Sequence, residues 1–316
     1  MTMTPLEDPR YSPVMTRGDL LIDGWTDKAI ARQVSAGQWV RVRRGAYVSR
    51  AAYRDSSRAG KHEFKARAVL AQSKTELALC HTSAVPLYDL QIWDIPLDDV
   101  DVLRPDGRSG RREAGVRQHR GVVHPGDICI RHGLPVVDPT RLALEVTTCL
   151  DTERALVIIN QLLHRGLTTR ERLQERYVRM EHAPYTLLTD IAIRRADGRH
   201  ESVAETRFDH LCYTQHLPRP VPQYEVRDAV GQILAVLDFA LPEYRAYIEM
   251  DGAQKYDALV PEGSTPRQVI MAEKKREKLI FDRLGWLCIR VTWEDLAHPV
   301  ATAMRILRML EGRRVA

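Results

Sequence analysis

The chain has 316 residues, 44% hydrophobic and 28% charged, with a net charge of +5. That length leaves room for two or three domains, and the composition supplies ordinary globular cores. No run of about 18 apolar residues occurs, which excludes a membrane-spanning helix.

The five cysteines, Cys80, Cys129, Cys149, Cys212 and Cys288, are odd in number, scattered and never spaced as CxxC. This excludes a local zinc knuckle, argues against a disulfide scaffold and fits a reduced, cytoplasmic setting. The opening stretch, MTMTPLEDPRYSPV, has neither an apolar core nor a cleavage-site pattern. It reads as a poorly ordered leader over 1–14 rather than a signal peptide. The positive charge is clustered. From Lys28 to Arg67 there are eleven Lys and Arg against two acids, Asp55 and Glu63. A concentrated basic segment is the electrostatic footprint of a nucleic-acid partner, although a solvated surface gives the same composition.

In chain order, the first unit (15–58) begins near Met15. Thr16 is placed to cap a helix through Ile22, and Thr26 a second helix over Asp27–Ala36, with Ala29, Ile30 and Val34 on one face. Trp39 to Val48 alternates as two short strands turning at Arg44-Gly45. Helix, turn, helix and hairpin in this order form a winged helix-turn-helix plan. Such a unit reads DNA with its second helix and lays its wing along the backbone. Lys28, Arg32 and Gln33 on that helix and Arg41, Arg43 and Arg44 on the wing are the expected DNA-binding residues, the alternative being a small domain that makes a protein contact. The run GWTDKAIARQVSAGQWVRVRRGAYV, through Gly37, Trp39, Arg41, Gly45 and Tyr47, resembles the N-terminal winged helix of the AbiEi-type abortive-infection antitoxin family. The resemblance implies a DNA-binding regulator.

Residues 59–190 read as a mixed α/β middle region. Lys61–Gln72 is expected to be helical, His81–Leu90 to be a helix start running into a loop, and Val100–Leu103 to be a strand. Asp106–Arg120 reads as an exposed loop. Val122-Val123 and Ile128–Ile130 read as short strands, and helices follow from Pro139, Asp151 and Thr168. His81–Leu90 and Asp138-Pro-Thr-Arg-Leu142 resemble the middle of the same antitoxin-like proteins, which implies contact with a protein partner or regulation rather than chemistry. The spacing of His81, His119, His124 and His132 matches no zinc pattern, so these read as turn and surface histidines.

Residues 198–316 carry the chemistry. Glu201–Cys212 reads as a helix. Tyr224–Val226, Ile233–Ala240 and Tyr247–Met250 read as strands. A long helix follows, capped at Ser264 or Thr265 and stopped at Gly285. Then come a strand over Trp286–Val291 and a last helix capped by Thr292, giving the order α-β-β-β-α-β-α. Asp238 and Glu249 each close an otherwise apolar strand, where a carboxylate is costly unless it binds something. Two such acids on neighbouring strands can converge on a hard cation, Mg²⁺ or Mn²⁺, with Glu205 reaching from the first helix. Strand-end surface residues are the alternative.

The segments SVAETRF, VLDFALPEYRAYIEMDGAQKY, EKKREKLIFDRLGW and IRVTWEDL resemble the nuclease-like domain of very-short-patch-repair (Vsr-like) endonucleases in the PD-(D/E)xK superfamily. That resemblance implies a restriction-endonuclease-like α/β domain with a central mixed sheet and a catalytic set of Glu205, Asp238, Glu249, Asp251 and Lys255. One departure is that Glu249-Met-Asp251 holds no lysine where the superfamily's third motif has one. Lys255 is therefore the expected substitute, with Lys274 or Lys275 next. Lys274, Lys275, Arg276 and Arg290 form a phosphate clamp or brace the acids. Trp286 and Trp293 read as core. The expectation is an α/β (multidomain α+β) DNA endonuclease guided by a winged helix, suited to phage defence or restriction. The rival is a non-enzymatic regulator on a retained nuclease scaffold, and a nuclease acting on RNA or on branched or mismatched DNA is a third reading.

Overall fold

Polar caps start the first helices. Thr16 closes a short strand, β1 (Met15–Thr16), and accepts a hydrogen bond from Asp19 N at the head of α1 (Arg17–Ile22). Thr26 does the same through Ala29 N for α2 (Asp27–Ser35). The hairpin β2 (Trp39–Arg43) and β3 (Ala46–Ser49) follows, and β1 joins it to make a sheet of order β1-β3-β2. Trp39 ties hairpin to helix turn, with Trp25 4.8 Å away on one side and Tyr47 6.2 Å away on the other. This computed structural model describes residues 8, 12–106, 112, 113, 115–179, 186–251, 271 and 278–314. The described residues form a mixed α/β protein with three sheets, and the chain divides into units spanning residues 1–196 and 197–316. Among the described residues no helix is long and apolar enough to cross a membrane, and none of the five cysteines is in a disulfide.

The first unit continues through α3 (Arg50–Asp55) and α4 (Arg58–Gln72). The latter starts three residues before the expected Lys61, because Ser57 accepts from Gly60 N. A six-stranded sheet follows in the order β6-β7-β5-β4-β9-β8. Its strands are β4 (Ala78–Leu79), β5 (Val100–Arg104), β6 (Arg112–Glu113), β7 (Val116–Arg120), β8 (Ile128–Arg131) and β9 (Leu134–Val137). Between β4 and β5 lie α5 (His81–Ala84) and a 3₁₀ turn over Val85–Tyr88. The helices α6 (Pro139–Glu145), α7 (Thr152–His164), α8 (Arg170–Val178) and α9 (Leu187–Arg195) complete the unit. Leu79, Val102, Val136, Leu142, Leu156 and Ile159 lie in one buried core.

The sequence reading fails here in three places. Val116–Arg120 is a strand paired in parallel with β5, not part of an exposed loop. Its VRQHR sequence lacks apolar alternation, since Val116 alone enters the apolar core and His119 bonds the buried Asp101. Val122 and Val123 belong to no strand, and Val122 is 74% exposed. Helix α9 was not expected at all.

In the second unit α10 (Val203–Thr214) precedes β10 (Val221–Arg227), β11 (Ile233–Leu241), β12 (Ala246–Asp251) and β13 (Leu287–Thr292). They form one mixed sheet in that order, with β12 and β13 parallel and the other pairs antiparallel. Phe208 of α10 packs on Phe239 of β11 at 5.1 Å between ring centroids. The expected helix cap at Ser264 or Thr265 lies outside the described residues, whereas residues 278–284 are helical. The last helix, α11 (Pro299–Leu310), begins later than expected. Thr292 caps only a 3₁₀ turn over Asp295–Ala297, and Pro299, lacking an N–H, takes the first helical turn.

A buried ionic network anchors the first unit. Asp127 accepts from His124 N (2.9 Å), from Arg141 Nη1 (2.8 Å) and from both Nη atoms of Arg176. Arg141 also donates from Nε to Glu145 at 2.6 Å. Burial alone would raise the Asp127 pKa, but Arg176, the His124 N–H and Arg141 outweigh it and hold the carboxyl at about 2. Its contribution to stability is therefore complete above the ordinary carboxylate range and lost as pH falls toward about 2. Asp127→Ala strands two guanidiniums, and urea unfolding at neutral pH should show a loss of about 3–5 kcal/mol. Asp27→Ala, which breaks an exposed pair with Arg17, should cost far less. Equal losses would contradict the buried network.

Candidate functional site

Three groups of side chains carry chemistry. The first is the basic set at the N-terminal helices and hairpin. Lys28 and Arg32 are exposed on α2, Arg41 and Arg44 are exposed on the hairpin, and Gln33 and Arg43 are half-buried. Among the described residues none of these five cations is held in an ion pair. Arg17 on α1, by contrast, is neutralised by Asp27 at 2.7 Å. Cations left free near a short helix and a hairpin are available to a polyanion.

The second group is acidic and lies on the sheet of the second unit. The β11–β12 pairing ends at Phe239 with Ile248, which leaves Asp238 and Glu249 as the next residue beyond it on each strand. Pairing of Pro222 with Phe239 and of Tyr224 with Leu237 sets Gln223 opposite Asp238 on the other side. Asp238 accepts from Met250 N at 2.7 Å, which locks its carboxylate to β12. Glu205, only 5% exposed, comes from the first turn of α10. Its carboxylate accepts from Ser202 Oγ (2.7 Å), Glu201 N (3.0 Å) and Gln223 Nε2 (3.0 Å). Ser202 in turn accepts from Glu205 N at 3.1 Å. Ser202-x-x-Glu205 is thus a capping box, a spacing visible in the sequence. Glu205 therefore has a structural duty as well as any chemical one. Burial pushes its pKa up and the neighbouring Asp238 charge adds to that, against the bonds from Ser202, Glu201 N and Gln223.

Glu249 is level with Arg290 and Asp251 with Thr292 across the parallel pair β12–β13. Beside them, Tyr247, Lys278, Phe281, Trp286, Arg290 and Arg313 line a cavity of about 700 Å³. Trp286 is half-buried and packs 5.7 Å from Tyr224. Trp293, expected in the core, is 42% exposed with the Arg207 guanidinium 4.8 Å over its ring. Lys255, Lys274, Lys275 and Arg276 lie outside the described residues. Glu205, Asp238 and Glu249 do not bring three ligand atoms within 4.8 Å of one another. Among the described residues only Cys80, His81 and His119 do so.

That third group was missed from sequence. His81 is buried in the left-handed region (φ 47°) at the start of α5, and His119 is half-buried on β7. Neither is a surface histidine. Their rings stack with centroids 3.7 Å apart. Spacing could not reveal them, because β5 brings β4 and β7 together across the sheet. His124 is exposed and His132 sits in a turn, as expected.

No family model and no curated protein matches the chain. Among solved structures, the crystal structure of RV2827C protein from Mycobacterium tuberculosis is similar to part of it. The identity is 16%, over 57% of this chain and 72% of that chain, with a TM-score of 0.39. A likeness that slight carries no argument about function.

The raised Glu205 pKa has a measurable consequence. Stability from its protonated form is complete below the ordinary Glu range and lost as pH rises through the raised folded value. In metal-free buffer the difference in Tm, wild type minus Glu205→Gln, should therefore fall as pH rises from about 4 to 7. A difference that stays constant would contradict the burial of this carboxyl beside Asp238.

Proposed function

We propose that the chain is a metal-dependent DNA endonuclease. In this reading the first unit begins with a DNA-binding winged helix and the second is a restriction-endonuclease-like domain. The observation that supports it most is that Asp238 and Glu249 come next after the last paired residues of β11 and β12, with buried Glu205 under the influence of Asp238 and Arg290 level with Glu249. The donors are all oxygens, which suits Mg²⁺ or Mn²⁺ rather than a softer ion. Asp238 and Glu249 would hold the ion. Bound there, it supplies an activated water and neutralises charge on the scissile phosphate. Glu205, braced by Ser202 and Gln223, orients the acidic set, and Asp251 lies on the same face at the strand end. Arg290, Lys278 and Arg313 meet phosphate oxygens, while Tyr247, Phe281 and Trp286 offer ring faces to unstacked bases. Lys255 remains the proposed group that positions the nucleophile, with Lys274, Lys275 and Arg276 as further phosphate contacts.

The winged helix supplies affinity and site choice through Lys28, Arg32, Gln33, Arg41, Arg43 and Arg44. The middle region contacts a protein partner, and the family resemblances suggest phage defence or restriction as the setting. One observation favours the regulator instead, namely that the three acids are not drawn within ligand distance of a common point. In that reading the N-terminal unit binds DNA and the acidic set only supports the fold.

Purified protein with supercoiled plasmid and Mg²⁺ or Mn²⁺ separates these readings. The nuclease reading expects nicking or linearisation, reduced more than about 10²-fold by Asp238→Ala or Glu249→Ala. Cleavage equal in all three proteins, or none beside tight DNA binding, would count against it. Arg32→Ala and Arg43→Ala should each weaken DNA binding and flatten its salt dependence by about one unit of log–log slope. Unchanged slopes in both would remove the winged helix from the DNA interface.

A further inference from the structure

We propose that Cys80, His81 and His119 form a binding site for a thiophilic divalent cation of the Zn²⁺ class, closed by Glu145 as fourth ligand. The site lies in the first unit and is independent of the carboxylates of the second.

Its three donors already lie within 4.8 Å of one another. Zn–N bonds of about 2.0–2.1 Å and a Zn–S bond of about 2.3 Å set tetrahedral ligand atoms about 3.3–3.6 Å apart. Closure therefore needs the stacked imidazoles to tilt, not the backbone to move. His81 Nδ1 is buried without a hydrogen-bond partner, although the residue is only 9% exposed. A buried ring nitrogen left without a bond calls for an explanation, and an ion supplies one. Glu145 Oε2 stands 3.5 Å from that same nitrogen, while its Oε1 is held by Arg141 Nε at 2.6 Å. Oε1 is thus anchored by Arg141, and Oε2, which also accepts from His81 N at 3.2 Å, is held at the edge of the cluster with a lone pair to spare for an ion.

His119 carries the partner that a ligating histidine usually has. Its Nε2 is 2.7 Å from Asp101 Oδ1, and Asp101 is itself buried and accepts from Thr82 Oγ1 at 2.9 Å. With Nε2–H donated to the carboxylate, the lone pair is left on Nδ1, the arrangement of a carboxylate–histidine–metal relay. Charge balances as well. On binding, the Cys80 S–H bond breaks, the proton leaves to solvent and a sulfur–metal bond forms. One thiolate, one carboxylate and two neutral imidazoles then offset the two positive charges. A fully buried Cys80 and a set of four protein ligands leave no open position for a water. The site is therefore structural, tying the β4–α5 junction to β7, rather than hydrolytic.

The test uses full-length protein stripped with a chelator and titrated with Co²⁺, whose thiolate complex absorbs by charge transfer in the near ultraviolet. The expected result is a band saturating at one Co²⁺ per chain, displaced by Zn²⁺, with proton release into weak buffer. Cys80→Ser should abolish the band and His119→Gln should weaken binding at least about ten-fold. Asp101→Asn should weaken it by about 10–100-fold and keep the band. Asp238→Asn should leave it unchanged. Circular dichroism establishes that each variant is folded, and if Cys80→Ser is not, His119→Gln decides the matter. Wild-type protein that folds but gives no band, a band that persists in Cys80→Ser, or Co²⁺ affinity unchanged in His119→Gln would overturn the site.

Discussion

Register between β11 and β12 is the constraint on which the acidic site depends. Side chains alternate across a strand, so a slip of one residue in β11 would turn Phe239 out of its core and carry Asp238 into it. Phe239 and Ile248 are both wholly buried, and Phe239 is gripped by Phe208 from α10. The apolar pair thus fixes the polar one. The bond from Met250 N to Asp238 strengthens the same alignment from the polar side. A short 3₁₀ turn over Pro242–Tyr244, with Arg245 in the left-handed region, joins the two strands and holds the register at their near end.

Glu205 reaches this site through a helix cap. A carboxylate at the third position of a helix is stabilised by the N-terminal N–H groups and by the dipole. Here the cap also buries it, which opposes ionisation, and Asp238 opposes it further. Capping and cation binding are compatible, because a carboxylate has enough lone pairs for both. The two roles predict different responses to pH and to metal, which makes Glu205 the most informative of the acids. The first unit uses its buried charges differently. Asp127, Arg141, Arg176 and Glu145 satisfy one another in the first unit.

Much of the second unit was legible from sequence, because β11 and β12 are largely apolar runs separated by Pro242, although Asp238 and Glu249, expected to close those strands, lie inside them. Ile233–Leu241 and Ala246–Asp251 extend the expected strands by one or two residues at their ends. The N-terminal helices were legible through Thr16 and Thr26, each a cap with an acid in the following turn. The middle region was not. Val116–Arg120 reads as a polar loop because the face it turns inward carries His119 toward Asp101. The meeting of Cys80, His81 and His119 depends on strand order, which no local spacing encodes. Gln223 was also missed, since its bond to Glu205 arises from the pairing of β10 with β11 and from its own left-handed backbone. The capping box at Ser202 and Glu205 was available in the sequence, but the chemical reading of the acid obscured it.

The claim that Asp238 and Glu249 hold a hard divalent cation is tested most directly by Mn²⁺ binding, read as loss of the free-ion electron paramagnetic resonance signal. Asp238→Asn keeps an acceptor for Met250 N and removes only the charge, so it isolates the ligand role from the fold. The account predicts one Mn²⁺ bound per wild-type chain, displaced by Mg²⁺, with affinity sharply reduced in Asp238→Asn and in Glu249→Gln. Binding of equal strength in all three proteins, or none in wild type, would contradict it.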